Sequence, residues 1–152
     1  MSLIVAYDSE RGIGRDGTLP WQVPGDLERF RRLTTNHTVI MGRKTWESLP
    51  KRPLPKRENL VVSETMDEAV VCPTLESAIA RSNDPHPFVI GGERLYRYAL
   101  DQGLVERIYW TSIDGTHECD TFFPSLDTSA WVVQDGPERM AGGWSVGVLR
   151  RA

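Results

Sequence analysis

The succession of short apolar runs and amphipathic segments predicts an α/β fold. It consists of a mainly parallel eight-stranded sheet with an antiparallel C-terminal edge and four helices on both faces. Three features carry that expectation. Apolar runs of strand length alternate with amphipathic stretches of helix length, the pattern of parallel strands joined by crossover helices. Two of the runs, Thr38–Met41 and Phe88–Ile90, end in glycine and pass straight into a helix start. The last two, Thr128–Asp135 and Trp144–Arg150, are separated by a Gly/Pro-rich turn, as antiparallel neighbours are.

Leu3–Tyr7 is a continuous apolar run ending in an acid, suited to a buried central strand. Ser9–Gly17 reads as a loop. Its Gly12, Gly14 and Gly17 match G-x-G-x-x-G, but a dinucleotide fingerprint needs a helix opening from the glycines, and Pro20 and Pro24 exclude one there. Gly25–Thr34 is a short helix with Leu27, Phe30 and Leu33 near one face and Glu28, Arg29, Arg31 and Arg32 pointing away. Asn59–Ser63 and Val70–Cys72 are strands. Thr74 caps a helix over L-E-S-A-I-A-R, Gly91-Gly92 leads into the helix E-R-L-Y-R-Y-A-L, and Glu106–Ile113 is a long strand.

The chain has 152 residues, 39% hydrophobic and 26% charged, which suits one domain over 1–152. A net charge of −3 gives no basic field for nucleic acid, and no apolar run is long enough to span a bilayer. Cys72 and Cys119 form no disulfide framework or zinc pattern, so no metal is expected and a reducing cytoplasm is the simplest setting.

Three places carry chemistry. Asp26, in the first turn of its helix, reads from position alone as either a working carboxylate or an acid complementing the helix dipole, an effect of about 0.3–1 kcal/mol. Gly42-Arg43-Lys44-Thr45 joins a strand end to a helix start bearing two cations and a hydroxyl; it reads as a phosphate seat or as a solvated basic turn. Gly91-Gly92 is a second such junction, a backbone nest or simply a tight turn. In an open α/β sheet, ligands sit at the C-terminal strand ends, where Ala6, Gly42, Ser63 and Gly91 lie.

Several segments together resemble dihydrofolate reductase of the bacterial type. They are L-I-V-A, G-I-G-R-D-G-T-L-P-W, the P-x-D-L-x-x-F of Pro24–Phe30, V-I-M-G-R-K-T-W-E-S-L, R-P-L-P-K-R-E-N, the V-I-G-G of Val89–Gly92 with Tyr96, and D-T-F-F-P from Asp120. Their order and spacing match over nearly the whole chain. The resemblance implies NADPH-dependent reduction of 7,8-dihydrofolate to tetrahydrofolate, antifolate inhibitors as further ligands, and a cytoplasmic monomer. It implies that Asp26 holds the pterin, with Thr111 supporting it through a hydroxyl, partly via water, and Leu19 and Trp21 closing over the reacting rings. Phe30 would stack on the substrate. Ile4, Val5, Ala6, Leu27, Leu49, Arg52, Leu54 and Ile90 would complete the pocket, and Arg57 would pair with the glutamyl α-carboxylate. The cofactor would meet Ala6, Ile13, Gly14, Leu19, Gly42, Arg43, Lys44, Thr45, Leu60, Val62, Ser63, Glu64, Ile90, Gly91, Gly92, Glu93, Arg94, Leu95 and Tyr96.

The loop Ser9–Val23 resembles the family's mobile lid, with Gly12, Gly14 and Gly17 as hinges. A pocket walled by Trp21, Leu27 and Phe30 should raise the pKa of Asp26 by desolvation. No histidine is expected near the site. Glu93 and Glu64 depart from the family pattern; an acid beside a pyrophosphate is unfavourable unless it turns outward. The alternative enzyme is the related pyrimidine reductase of riboflavin synthesis, which lacks the combination of Asp26, Phe30 and Arg57.

Overall fold

A computed structural model describes residues 1–65 and 70–152. The elements are β1 (Ser2–Tyr7), β2 (Gly12–Gly14), α1 (Pro24–Thr34), β3 (Thr38–Gly42), α2 (Arg43–Ser48), β4 (Glu58–Val62), β5 (Val71–Cys72), α3 (Leu75–Arg81), β6 (Phe88–Gly91), α4 (Glu93–Asp101), β7 (Arg107–Ile113), β8 (Thr121–Phe122), β9 (Trp131–Met140) and β10 (Trp144–Arg151). Eight strands make one sheet in the order β5-β4-β3-β6-β1-β7-β10-β9. Every pairing from β5 to β7 is parallel; β10 runs antiparallel to both β7 and β9. The mixed α/β sheet with its antiparallel C-terminal edge is therefore the one the sequence predicts.

Alternation along the strands sorts the helices. Leu3, Val5, Ile40, Leu60, Val89 and Ile108 face one side, where they pack with Leu75 and Ala78 of α3 and Leu95, Tyr96 and Ala99 of α4. Their neighbours Val39, Met41, Val61 and Ile90 face the other side with Trp46 of α2. That second face also carries α1, whose Asp26 reaches Thr111 of β7. Helices thus cover both faces, and α1 and α2 share the face on which Ile4 and Ala6 point.

Four differences from the sequence reading have local causes. The supposed loop after β1 contains β2, which pairs with β8 in a separate two-stranded sheet. Asp8 organises it: its Oδ1 accepts from Gly12 N at 2.8 Å and Glu10 N at 3.0 Å, and its Oδ2 accepts from His117 N at 2.8 Å. Strand β9 begins at Trp131, because Asp127 caps a short 3-10 turn at Thr128–Ala130 through Ser129 N. It then continues through Gly136-Pro137 to Met140, with a register shift opposite Val146–Val148. On α1, Leu27 is 61% exposed rather than packed. Arg29 turns inward instead of away, because strand carbonyls and the Thr111 hydroxyl are there to receive its guanidinium.

Candidate active site

Pro24 opens α1 at a position where a missing N–H costs nothing, and its N-cap, Val23, offers no capping side chain. Asp26 does not act as the cap either. Its Oδ1 accepts a hydrogen bond from Thr111 Oγ1 at 2.7 Å, across to the sheet. Thr111 pairs with Ala6 of β1 in the parallel ladder and is 1% exposed, so this contact lies at the C-terminal end of two adjacent strands. The bond is direct. Burial raises the pKa of Asp26; the Thr111 hydroxyl and the Arg29 charge work against burial but do not cancel it.

A hydrophobic wall lies on the same face of the sheet as the acid. Leu49, Leu54 and Ile90 pack on Val39, Met41 and Trp46. Asn59 holds the segment in place, accepting from Leu54 N at 2.9 Å and donating to Leu54 O at 3.0 Å. Arg57 lies over the ring of Phe30, 5.9 Å from its centroid, and donates to Pro55 O at 2.9 Å and Thr34 Oγ1 at 3.0 Å. A cleft of about 550 Å³ beyond the end of α1 takes in Lys56 and Arg57 with His37 and Asp84, at the N-terminal ends of β3 and β4; Asp26, Phe30, Leu49, Leu54 and Ile90 do not line it. Arg52 lies over Trp46 and donates to its carbonyl at 3.4 Å. Ile4 is nearly buried, and the Tyr96 hydroxyl lies 2.7 Å from Ile4 O and 2.9 Å from Ile90 O, tying the ends of β1 and β6 together. The side chains of Val5, Leu60 and Leu95 are committed to the core on the α3/α4 side, so only their backbone can face a ligand.

Because β3 and β6 are neighbours, the two glycine junctions come together. Both following helices start on a glycine, Gly42 or Gly92, with no side-chain cap, which leaves their first N–H groups available to an anion. A Cβ on Gly91 would sit 3.2 Å from Thr45 Oγ1, and one on Gly92 3.4 Å from it; Gly91 also has φ +139°, a conformation that disfavours side chains. Arg43, Lys44 and Arg94 are exposed around this cradle, with Ser63 beside it at the end of β4 and Glu64 exposed. Glu93 turns away from it, accepting from Phe122 N at 3.1 Å. The donor set fits a phosphorylated dinucleotide, and the acid the sequence flags as unfavourable points elsewhere.

In the segment expected to act as a lid, two of the glycines also have packing roles. Gly12 and Gly14 belong to β2, and a Cβ on Gly12 would come within 2.5 Å of the Cys119 side chain, so that glycine serves close packing. Gly17, at φ +79°, forms the tip, where Arg15 and Thr18 bond to each other across the turn. Asp120 braces the loop: its carboxylate accepts from Asp16 N at 3.0 Å and its own N–H donates to Gly14 O at 2.9 Å. Leu19 is 47% exposed, whereas Trp21 is 8% exposed and packs on Ile113, Trp144 and Val146. The buried Trp21 Nε1 finds no partner among the described residues, so a polar atom of a ligand or water is the natural recipient. His117, expected to be remote, stands edge-on to Trp21 with ring centroids 5.3 Å apart.

Two residues escape the sequence reading. Arg29 lies three positions beyond Asp26, a spacing that puts both on one helix side, and that relation was a usable signal. Asp8 follows a buried strand and precedes a glycine by four, the pattern of an acid closing a turn on backbone N–H groups.

The sequence model of the family described as dihydrofolate reductase matches residues 1–142. The chain is 43% identical over 141 residues to dihydrofolate reductase of Mycobacterium leprae (strain TN), covering 87% of this chain and 84% of that one. With dihydrofolate reductase of Bacillus subtilis (strain 168) it shares 40% identity over 136 residues, 86% of this chain and 79% of the other. Bifunctional dihydrofolate reductase-thymidylate synthase 2 of Arabidopsis thaliana is 41% identical over 152 residues, 85% of this chain; the chain spans 27% of that longer protein.

Proposed function

The chain belongs to the dihydrofolate reductase family of enzymes, and we propose that it reduces 7,8-dihydrofolate to 5,6,7,8-tetrahydrofolate with NADPH, for one-carbon metabolism. The observation that carries this reading is the half-buried Asp26 carboxylate, held by Thr111 on the same end of the sheet as the uncapped glycine cradle. NADPH supplies the hydride that is delivered to pterin C6. The chain's own residues bind and orient. Asp26 accepts from the pterin's 2-amino and N3 groups and favours protonation at N5, with a water as last donor. Phe30, Leu49, Leu54 and Ile90 flank the ring system, with Leu27, exposed in the structure, available to cover it. Arg57 pairs with the glutamyl α-carboxylate. Thr45, Gly91 and Gly92, with Arg43, Lys44 and Arg94, seat the phosphates, and these cations favour NADPH over NADH. The segment about 9–23 covers the site and excludes water, with Leu19 and Trp21 as its apolar contacts. Antifolates occupy the same place beside Asp26, Phe30, Leu49, Leu54 and Ile90. The reading takes one domain over 1–152, acting as a monomer in the cytoplasm, where its two cysteines stay free.

The test mixes the protein with dihydrofolate and either NADPH or NADH and follows cofactor absorbance. NADPH oxidation that depends on dihydrofolate is expected. Asp26→Asn should lower kcat/KM at neutral pH by about 10²-fold or more, the range for a positioned acid–base group. No oxidation at any pH refutes the activity; an undiminished rate in Asp26→Asn refutes the role of Asp26.

A further inference from the structure

Helix periodicity assigns Arg29 to the outer side of α1, yet its guanidinium is half-buried between α1 and the sheet. Its Nη1 donates to Trp110 O and to Thr111 Oγ1, each at 3.2 Å, and its Nη2 donates to Gly147 O at 3.3 Å. The sheet is shaped to receive it. Gly147 falls in the register shift between Val146 and Val148, where β10 is out of step with β9. It is at this irregularity that Gly147 O accepts from the guanidinium. Arginine's planar fork meets three such acceptors at once, which a point-charge ammonium cannot do.

The consequence concerns the single proton of Thr111. A hydroxyl carries one donor and two acceptor positions, and its rotor turns to suit its neighbours. With Arg29 donating into the oxygen, the hydroxyl proton is directed to Asp26 Oδ1, 2.7 Å away. The result is a one-way relay from guanidinium N–H through O–H to carboxylate.

We propose that Arg29 is a positioning residue of the reductase site: by fixing Thr111 it sets the protonation equilibrium of Asp26, and with it the pH dependence of dihydrofolate reduction. This rests on the reading of Asp26 as the acid that holds the substrate. The charge environment is compatible. Arg29 faces Arg32 on its own helix, Tyr109 on β7 and Asp135 on β9, and burial with Arg32 weakens its basicity while Asp26, Tyr109 and Asp135 favour the cation. Asp26 faces Arg29 and Thr111, and from α4 the buried Tyr96, whose phenol stays neutral because burial and the Asp26 charge both raise its pKa. A cleft of about 220 Å³ between α1 and the β9–β10 hairpin reaches Arg29 from the side away from Asp26.

The experiment compares wild type, Arg29→Met and Arg29→Lys. Carbon-13 aspartate labelling, with the Asp26 signal assigned by Asp26→Asn, follows its titration in the free protein. In parallel, kcat/KM for dihydrofolate with NADPH is measured against pH. In Arg29→Met the Asp26 midpoint should rise by about one pH unit, the size of effect an opposite charge at this range exerts. The inflection of the rate profile should rise with it, and the KM for NADPH should stay near the wild-type value. Arg29→Lys keeps the charge but loses the fork and should show a smaller rise. A folded Arg29→Met with midpoint and profile unmoved overturns the proposal. If Arg29→Met does not fold, Arg29→Lys decides, and an unmoved midpoint there overturns it equally. Failure of the Asp26 reading looks different: Asp26→Asn then keeps its rate while the Asp26 midpoint still responds to Arg29.

Discussion

Thr111→Val removes one hydroxyl and little else from a position that is 1% exposed, so water cannot take its place. Asp26 loses its 2.7 Å donor, while Arg29 Nη1 keeps Trp110 O at 3.2 Å. A hydrogen bond to a charged group contributes about 1.5–3 kcal/mol, against about 0.5–1.5 kcal/mol between neutral groups. The loss should therefore depend on pH. Thr111 lowers the folded-state pKa of Asp26 against the larger raising effect of burial. Removing it raises that value further. The Thr111 contribution is thus fully present above the variant's higher folded-state value, and it is lost as pH falls from there through the wild-type value of Asp26. Urea unfolding at about pH 8 should show Thr111→Val less stable by about 2 kcal/mol, and at a pH low enough to protonate native Asp26 by distinctly less, with an unchanged m-value. An equal loss at both pH values, or none at either, would refute the charged hydrogen bond as the cause.

Two other perturbations test the anchor of the proposed lid and the proposed cofactor cradle. Asp8→Asn presents an NH₂ group to at least one backbone N–H that Asp8 now satisfies, in a site 2% exposed, and should cost about 1–3 kcal/mol. Burial raises the pKa of Asp8, but the Gly12, His117 and Glu10 N–H groups more than reverse it, so the net value is lowered. Its stabilisation is therefore present above the ordinary carboxylate range and is lost as pH falls, and thermal melts of the two proteins should converge in acid. Gly91→Ala forces a side chain onto a φ of +139° and to 3.2 Å from Thr45 Oγ1. About 1.4 kcal/mol of strain relieved by moving the cradle would raise the KM for NADPH about tenfold; steady-state kinetics should show a smaller change for dihydrofolate.

The sheet was legible because its signal is one-dimensional. An apolar run such as Leu3–Tyr7, or a strand that ends in glycine before a helix as at Gly42 and Gly91, declares itself from adjacent residues. The same holds for Asp26 as a candidate and for the family resemblance, since both reside in local motifs. Strand β9 was misplaced because its limits are set by Asp127 and by a register shift against β10, not by its own apolar pattern. The close approach of Cys119 to Gly12 was not legible, because a glycine in a loop does not reveal which side chain will need its missing Cβ.

By itself the sequence determined the α/β class, the strand-to-helix glycine junctions and the lone acid at the start of α1. Only the tertiary structure decided that the two junctions abut, that Asp26 spends one oxygen on Thr111, and that Arg29 reaches behind them both. The contacts of Asp26 and Arg29 join residues 81 to 118 positions apart in the chain. Helix periodicity reports only which side of a helix a residue occupies; whether a charged side chain there meets water or an unpaired carbonyl depends on what the rest of the chain brings to it.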